Sequence, residues 1–505
     1  MLSRIKSTVR DTLVYSLSNI APKIVGVVLL PLYTAKLTLV EFGNLDLLTV
    51  TVTILVEILI LGQATSIILF NNSADYKDKK KSALFTITTF ILMICALFVL
   101  FAEAVISFFP NIFINTQIQA SYLRIISYTA LLTVLNNLFF AKLRADEQSV
   151  FYSIVSVTRV LLMTGLTIYY LAWLNKGVWG VLFAATLSEF FTLIILLAKV
   201  IPQMKVKFES QILKSALKFG IPLLFASIGF LLLNLSDRYI IKFLLGSASL
   251  APYSLAYKVA GVLNMFFILP FTLGLMPVAY KYFGSSDDKR FFSKLMTYSA
   301  FFFIWGFIFL SLFSKEIVHL FAVKPEYYSS YLIVPIILLS YVFSGIRITA
   351  SLGMLLTKNT KHIAWITLGA AGLNIILNFV FIPVFGIIAA AINTLVSFII
   401  FYIITQNFSD KYYKIPFENY KIFLMLVSGS IIAGTIYFLP VMNSVLEICI
   451  KLLLVSLFPF VLYLFRFFEK AELEIILNPA KILDFVKGIV KGADKNSTDS
   501  GTLIP

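Results

Sequence analysis

The chain is short of charge. Only 13% of its 505 residues are Asp, Glu, Lys or Arg, against roughly a quarter in water-soluble proteins, so it has no means to surface a large soluble domain. It has two histidines, His319 and His362, and two cysteines, Cys95 and Cys449. No histidine cluster is therefore present for catalysis or metal binding. Both cysteines lie in apolar runs, which argues against a disulfide framework. No nucleophile elbow, phosphate loop or metal-ligand spacing occurs, and nothing in the chain calls for a cofactor. Acidic residues are scarce too, 25 against 41 Lys and Arg. The resulting net charge of +16 could suit nucleic acid, but the lysines sit in short loops between apolar runs, so no nucleic-acid partner is expected.

What the chain does have is apolar length. Of its residues 60% are hydrophobic, with 49 Phe and 24 Tyr, and runs of about 20 residues, enough to cross a bilayer as helices, recur from end to end. Fourteen candidate spans fall near 11–36, 41–70, 83–109, 120–143, 151–174, 177–199, 215–242, 251–281, 295–314, 329–357, 363–382, 384–405, 421–440 and 446–468. Pro22 and Lys23 break the first apolar stretch, which lacks a small-residue cleavage site, so it reads as a retained helix rather than a secretory signal. Lys and Arg favour alternate loops by 22 to 5, which puts both termini in the cytoplasm and supports an even number of spans. The tail 469–505 begins amphipathic, with Ile482, Phe485 and Ile489 beside Lys481 and Lys487. That pattern suits a helix on an anionic membrane surface.

The stretch "LNIILNFVFIPVFGIIAAAINT" (373–394) places Asn374, Asn378 and Asn393 in an otherwise apolar run and interrupts it at Pro383 and Gly386. Asn374 and Asn378 share a helix face, and in lipid they should point at other helices or a wet cavity. The Pro-x-x-Gly break reads as a tight helical hairpin. Beyond it Gly386, Ala390 and Thr394 form a small-residue face for close helix approach. Gly180, Ala184 and Ser188 stand 206 positions earlier. "LRADEQSVFYSI" and "LTKNTKHIAWIT" enter the two hairpins, and "VEFGNLDLLTV" is loosely echoed by "SLAPYSLAYKV". Six helices thus repeat in parallel orientation, a pattern of transporters with a substrate path between the halves. The expected division is a six-helix lobe over 1–214, a second over 215–420, two appended helices at 421–468, and the tail.

"LNIILNFVFIPVFGIIAAAINTLVSF", "LNLSDRYIIKFLLGSASLAPYSLAYKVAG" and the paired "RADE" and "GVWG" segments resemble the polysaccharide-transporter branch of the multidrug/oligosaccharidyl-lipid/polysaccharide exporter superfamily, over about residues 10–405. The resemblance implies an all-α polytopic membrane protein of about 14 helices in a bacterial inner membrane. It also implies a flippase for an undecaprenyl-pyrophosphate-linked oligosaccharide used for O-antigen, capsule or exopolysaccharide. Partners would be that lipid-linked sugar, membrane lipids and polysaccharide polymerase machinery. A drug-type cation antiporter and a lipid II flippase share the fold and stay open. A membrane glycosyltransferase or repeat-unit polymerase lacks a loop large enough for catalysis, and the paired aspartates of "SSDDKR" sit in a charged turn.

Ionisable residues inside spans are functional candidates. The first half has Lys23, Glu57, Arg159 and Glu189; the second has Asp237, Arg238, Lys258 and Arg347. The first four could neutralise one another. Asp237 and Arg238 are adjacent, do not share a helix face and need not pair; an anchoring role at the outer interface is the expectation for them. Lys258 and Arg347 have no acidic partner in their own half. In the family, helices 1, 2, 7 and 8 line the cavity. This makes Lys23 and Lys258 the expected cations for a pyrophosphate, with Arg347 of the more peripheral helix 10 as a third and Glu57 or Asp46 as ion-coupling carboxylates. Asn19, Gln63, Asn71 and Asn264 suit either sugar hydroxyls or interhelical bonds.

Overall fold

The computed structural model describes residues 24–108, 119–438, 444–465 and 467–468. Lys23, Asn19 and the tail 469–505 lie outside the described residues. Every regular element described is helical. In chain order these are α1 Ile24–Lys36, α2 Leu39–Ile60, α3 Gln63–Asn72, α4 Lys80–Phe108, α5 Ala120–Ala145, α6 Ser149–Trp173, α7 Gly177–Gln203 and α8 Ser210–Leu245. They continue with α9 Ser247–Tyr282, α10 Asp288–Leu312, α11 Ser314–Phe321, α12 Pro325–Leu356, α13 Lys361–Tyr412, α14 Asn419–Gly434 and α15 Ser444–Leu464. Eleven are long and apolar enough to cross a membrane, and α1 and α14 are shorter apolar helices. Large apolar side chains such as Phe101, Trp365 and Phe385 are exposed, as lipid contact requires. The chain is a multi-pass membrane protein.

Local chemistry sets the breaks. Thr38 and Glu41 close a capping box that starts α2, satisfying backbone donors where the helix opens. Leu61 and Gly62 take φ of 50° and 69° and separate α2 from α3. A β-carbon on Gly62 would stand 2.5 Å from the carbonyl oxygen of Gly220 in α8, so the bend also needs glycine for room. In α9 the turn Asn264–Ile268 is π-helical. It lies just ahead of Pro270, whose ring and missing N–H disfavour regular α geometry there.

The 52-residue α13 is two arms. Gly386 has φ 66° and ψ −151°, a region open essentially to glycine alone. The arms return on each other through a chain of amides: Asn393 donates to Asn378 at 3.0 Å, Asn378 to Asn374 at 3.0 Å, and Asn374 to Thr394 Oγ1 at 3.4 Å. All four residues are buried. The asparagines are thus interhelical, as expected. The expectation for Gly386 needs correction. Nothing lies within 4 Å of a β-carbon there, so its glycine serves the turn and not a close approach. In the first half Ser188 donates to the Arg159 carbonyl at 2.7 Å, so Ser188 and Thr394 each tie a helix to the one before it.

The helices α2 and α3 run antiparallel to α8 along its length. Thr51 meets Tyr239 at 2.7 Å near one end, and Gln63 and Ser66 donate to the Ala216 carbonyl toward the other, each at 3.3 Å. This seam joins the two halves of the sequence. The last pair, α14 and α15, sits on α10: Trp305 donates to the Val455 carbonyl at 3.2 Å, and Phe301 stacks on Phe458 at 5.6 Å. Buried Lys451 of α15 pairs with Glu316 of α11 and with Glu447 at 2.8 Å.

Candidate functional site

The segments 42–48 of α2 and 250–257 of α9 are buried at nearly every position. An amphipathic surface helix would bury only one stripe, so here both helices are enclosed by neighbours. Polar residues in such a place must satisfy one another.

They do so through Asp46. Its Oδ1 lies 3.0 Å from Lys258 Nζ, and its Oδ2 accepts from Arg238 Nε at 3.1 Å and from Ser254 Oγ at 2.7 Å. Asp237 Oδ1 accepts from Arg238 Nη1 at 3.1 Å and from the Arg238 backbone N–H at 2.8 Å. Tyr253 donates its hydroxyl to Asp237 Oδ2. The Arg238 guanidinium also donates to the Asn234 carbonyl and lies 4.3 Å from the centre of the Tyr257 ring. Two carboxylates and two cations balance, which is how a charged cluster persists in a low-dielectric interior. Next to it Asn44 accepts from Lys242 at 3.1 Å and from Ser247 at 2.7 Å. A β-carbon on Gly43 would stand 2.1 Å from the Ser247 carbonyl oxygen. The two halves are therefore clamped tightly at the end of the bundle whose loops are poor in lysine.

Three of the cluster's charged side chains are sealed, Asp237 at 0% and Asp46 and Arg238 at 7% exposure, whereas Lys258 is 33% exposed. Lys258 opens onto a cavity of about 250 Å³ lined also by Gly26, Gly261, Asn264 and Tyr341. This cavity lies between α1 of the first half and α9 and α12 of the second. The π-helical turn begins at Asn264, inside its wall.

A second cavity, about 370 Å³, lies within the first half between α2–α3, α5 and α6. Glu57, Arg144 and Arg159 line it. Arg159 is 3.5 Å from Glu189, which accepts from Asn136 at 2.7 Å.

The expected residues therefore separate. Asp46 and Lys258, predicted apart, are one ion pair, and the acid that Lys258 lacks in its own half is supplied by the other. Asp237 and Arg238, whose adjacency does not require a pair, do form one. Arg238 folds back so that its guanidinium reaches both Asp237 and Asp46. Arg159 and Glu189 neutralise each other, but Glu57 stays out of that pair. Arg347 lines neither cavity. Its guanidinium lies 4.4 Å from the centre of the Phe401 ring, with no carboxylate within ion-pair distance among the described residues. Gln63 and Asn71 make interhelical bonds, and Asn264 faces the Lys258 cavity. Ser254 and Tyr253 were not expected. Their signal was available: Ser254 and Lys258, like Tyr253 and Tyr257, are four apart on α9 and share a face.

A sequence model of the family described as polysaccharide biosynthesis protein matches residues 8–283, and one described as MatE matches 222–380. No curated protein matches the chain. Among solved structures it is similar to a lipid II flippase MurJ in an inward closed conformation, with a TM-score of 0.71 and 15% identity over 89% of this chain and 99% of that one. It is also similar to a multidrug resistance MATE family transporter of the MOP superfamily in an inward-facing conformation, with a TM-score of 0.65 and 13% identity over 81% and 95%. A MOP superfamily transporter from Pyrococcus furiosus, described by the reverse polarity of its binding pocket, gives 0.57 and 15% over 83% and 96%. At these identities the likeness establishes the fold.

Proposed function

The chain belongs to the polysaccharide biosynthesis protein family, the polysaccharide-transporter branch of the exporter superfamily, and from that premise we propose that it is a flippase for a lipid-linked oligosaccharide. It is a transporter of the flippase type, not an enzyme. The proposed cargo is an undecaprenyl-pyrophosphate-linked repeat unit for O-antigen, capsule or exopolysaccharide. It would cross a bacterial inner membrane from the cytoplasmic to the outer leaflet and be handed to polymerase machinery.

The observation that carries this reading is Lys258, a cation shared between a buried carboxylate and a cavity between the halves. A pyrophosphate brought to that cavity offers Lys258 charge-assisted hydrogen bonds in place of lost hydration. An organic cation would meet an ammonium there instead, which disfavours the antiporter reading. Each bond the substrate makes to Lys258 weakens the hold of Asp46 on it. Substrate then favours release of the lysine-poor end, as a ligand must if it is to shift a two-state equilibrium. Lys23 lies just ahead of Gly26, which lines the same cavity, and is the proposed second cation. Arg347 is assigned a packing role on Phe401. Asp46 is assigned to the clamp rather than to ion coupling, and Glu57 is considered below.

The test uses purified protein in liposomes with a fluorescent undecaprenyl-pyrophosphate oligosaccharide, following exposure of the sugar on the far side. Protein-dependent exposure that falls roughly tenfold or more in Lys258→Ala is expected, the loss of one charged hydrogen bond being worth about 1.5–3 kcal/mol. No exposure with several sugar donors, together with efflux of an organic cation, would overturn the substrate assignment.

A further inference from the structure

The cavity in the first half has no part in the clamp, yet its lining is strongly polar for a site among membrane helices. Glu57 of α2, Thr65 of α3 and Asn137 and Arg144 of α5 all face it. None of the four makes a side-chain hydrogen bond or ion pair among the described residues. An intramembrane carboxylate without a partner is costly and marks a site; Glu57 is such a group, and it shares one space of about 370 Å³ with three further polar side chains, which together suit a polar ligand. The size lies within the range of small-molecule sites, roughly 300–1,000 Å³.

The charge identifies the class. Glu57 and Arg144 oppose each other, and Arg159 is already held by Glu189. The space is therefore near neutral and traps neither a pyrophosphate nor an organic cation. It offers acceptors on Glu57 and Asn137, donors on Arg144 and Asn137, and a hydroxyl on Thr65 that does both. Phe140 also faces the space, with the Arg159 guanidinium 5.4 Å from its ring centre. A ligand rich in hydroxyls with an apolar ring face suits this set.

The position agrees. Glu57 lies eleven residues beyond Asp46 on the same helix, or about 16 Å along it, and Arg144 is exposed at the lysine-rich end. We propose that this cavity is a saccharide subsite that holds sugar rings of the lipid-linked substrate while the pyrophosphate is held at Lys258. This rests on the flippase reading. It adds that sugar and pyrophosphate are bound in separate compartments along α2, and that selection among oligosaccharides resides in α2, α3 and α5.

The experiment separates binding from transport. Cys95→Ala and Cys449→Ala remove both native thiols, and Thr65→Cys places one in the cavity. Maleimide labelling is timed in liposomes with undecaprenyl pyrophosphate carrying an oligosaccharide, and again with undecaprenyl pyrophosphate alone. The glycan-bearing lipid is expected to slow labelling roughly tenfold and the bare lipid to leave it unchanged, one or two hydrogen bonds sufficing for that difference. In parallel, Glu57→Gln and Asn137→Ala should raise the half-saturating concentration for transport of the glycan-bearing lipid and spare that of the bare one. Equal protection by both lipids, or by neither while wild-type protein still transports, would overturn the subsite and leave the flippase reading intact. Protection by the glycan-bearing lipid without any translocation would uphold the subsite and overturn the flippase reading.

Discussion

A residue's role here depends on whether its charge is spent inside the protein. Arg238 is fully engaged by Asp237, Asp46 and the Asn234 carbonyl, and this fixes it as structure. Lys258 has one carboxylate on one side and a cavity on the other. Removing one partner of a buried pair costs about 3–5 kcal/mol because the other charge is left uncompensated. Asp46→Asn leaves two cations without their shared acceptor and should loosen the lysine-poor end. Spin labels at Lys36 and Phe243, both exposed there, should report a longer or broader distance distribution. An unchanged distribution would show that the cluster does not hold the halves together.

Elements are shaped by the few residues that break them. In α13 only the backbone conformation at Gly386 demands glycine, since its surroundings are open. Gly386→Ala is therefore expected to cost roughly 1–3 kcal/mol in denaturation, with the amide chain from Asn374 to Asn393 preserving the fold. The link from α10 to α14 combines apolar packing, with Ile304 close against Gly429, and an electrostatic contact. Glu418, just ahead of α14, accepts from Lys294 at 3.0 Å and from Thr297 at 2.8 Å, and pairs with Lys421 at 3.0 Å. Burial would raise its pKa, but hydrogen bonds from Lys421, Lys294 and Thr297 outweigh burial and hold it below the ordinary glutamate value. A depressed folded pKa contributes stability above the unfolded value and loses it as pH falls through the folded one. Glu418→Gln should thus lower thermal stability at neutral pH and match wild type in strong acid. A deficit that persists in acid would mean the loss is one of packing.

At the scale of the whole molecule the seam of α2 and α3 against α8 and α9 has a glycine contact toward each end. A β-carbon on Gly43 would strike the Ser247 carbonyl oxygen, and one on Gly220 would come within 2.5 Å of Leu61 O and Gln63 Nε2. If the halves rock about this seam, Gly43→Ala should favour opening at the lysine-poor end and Gly220→Ala at the lysine-rich end. Label pairs at both ends should move in opposite senses for the two variants. Loosening of both ends by either one would mean the seam separates as a whole instead of rocking. The proposed saccharide cavity lies beside this seam in the first half, so in a rocking motion its residues would move with one half and Lys258 with the other.

By itself the sequence determined the class. Hydrophobic length and low charge require membrane helices, because no other solution satisfies the backbone in lipid. The break at Pro383 and Gly386 foretold a hairpin, and the three asparagines around it foretold interhelical amides, because polar groups in an apolar run must find partners. The identity of the partners was decided only by tertiary structure. Asp46 and Lys258 are 212 positions apart, in different halves, and each reads alone as an unpaired charge; Arg238 and Asp237 pair through the path of a long side chain, which helix spacing does not describe. Nor does the sequence distinguish Glu57, which faces a cavity, from Glu189, which is neutralised. In a low-dielectric interior, function depends on which charges remain unmatched, and matching is a property of distances across the fold.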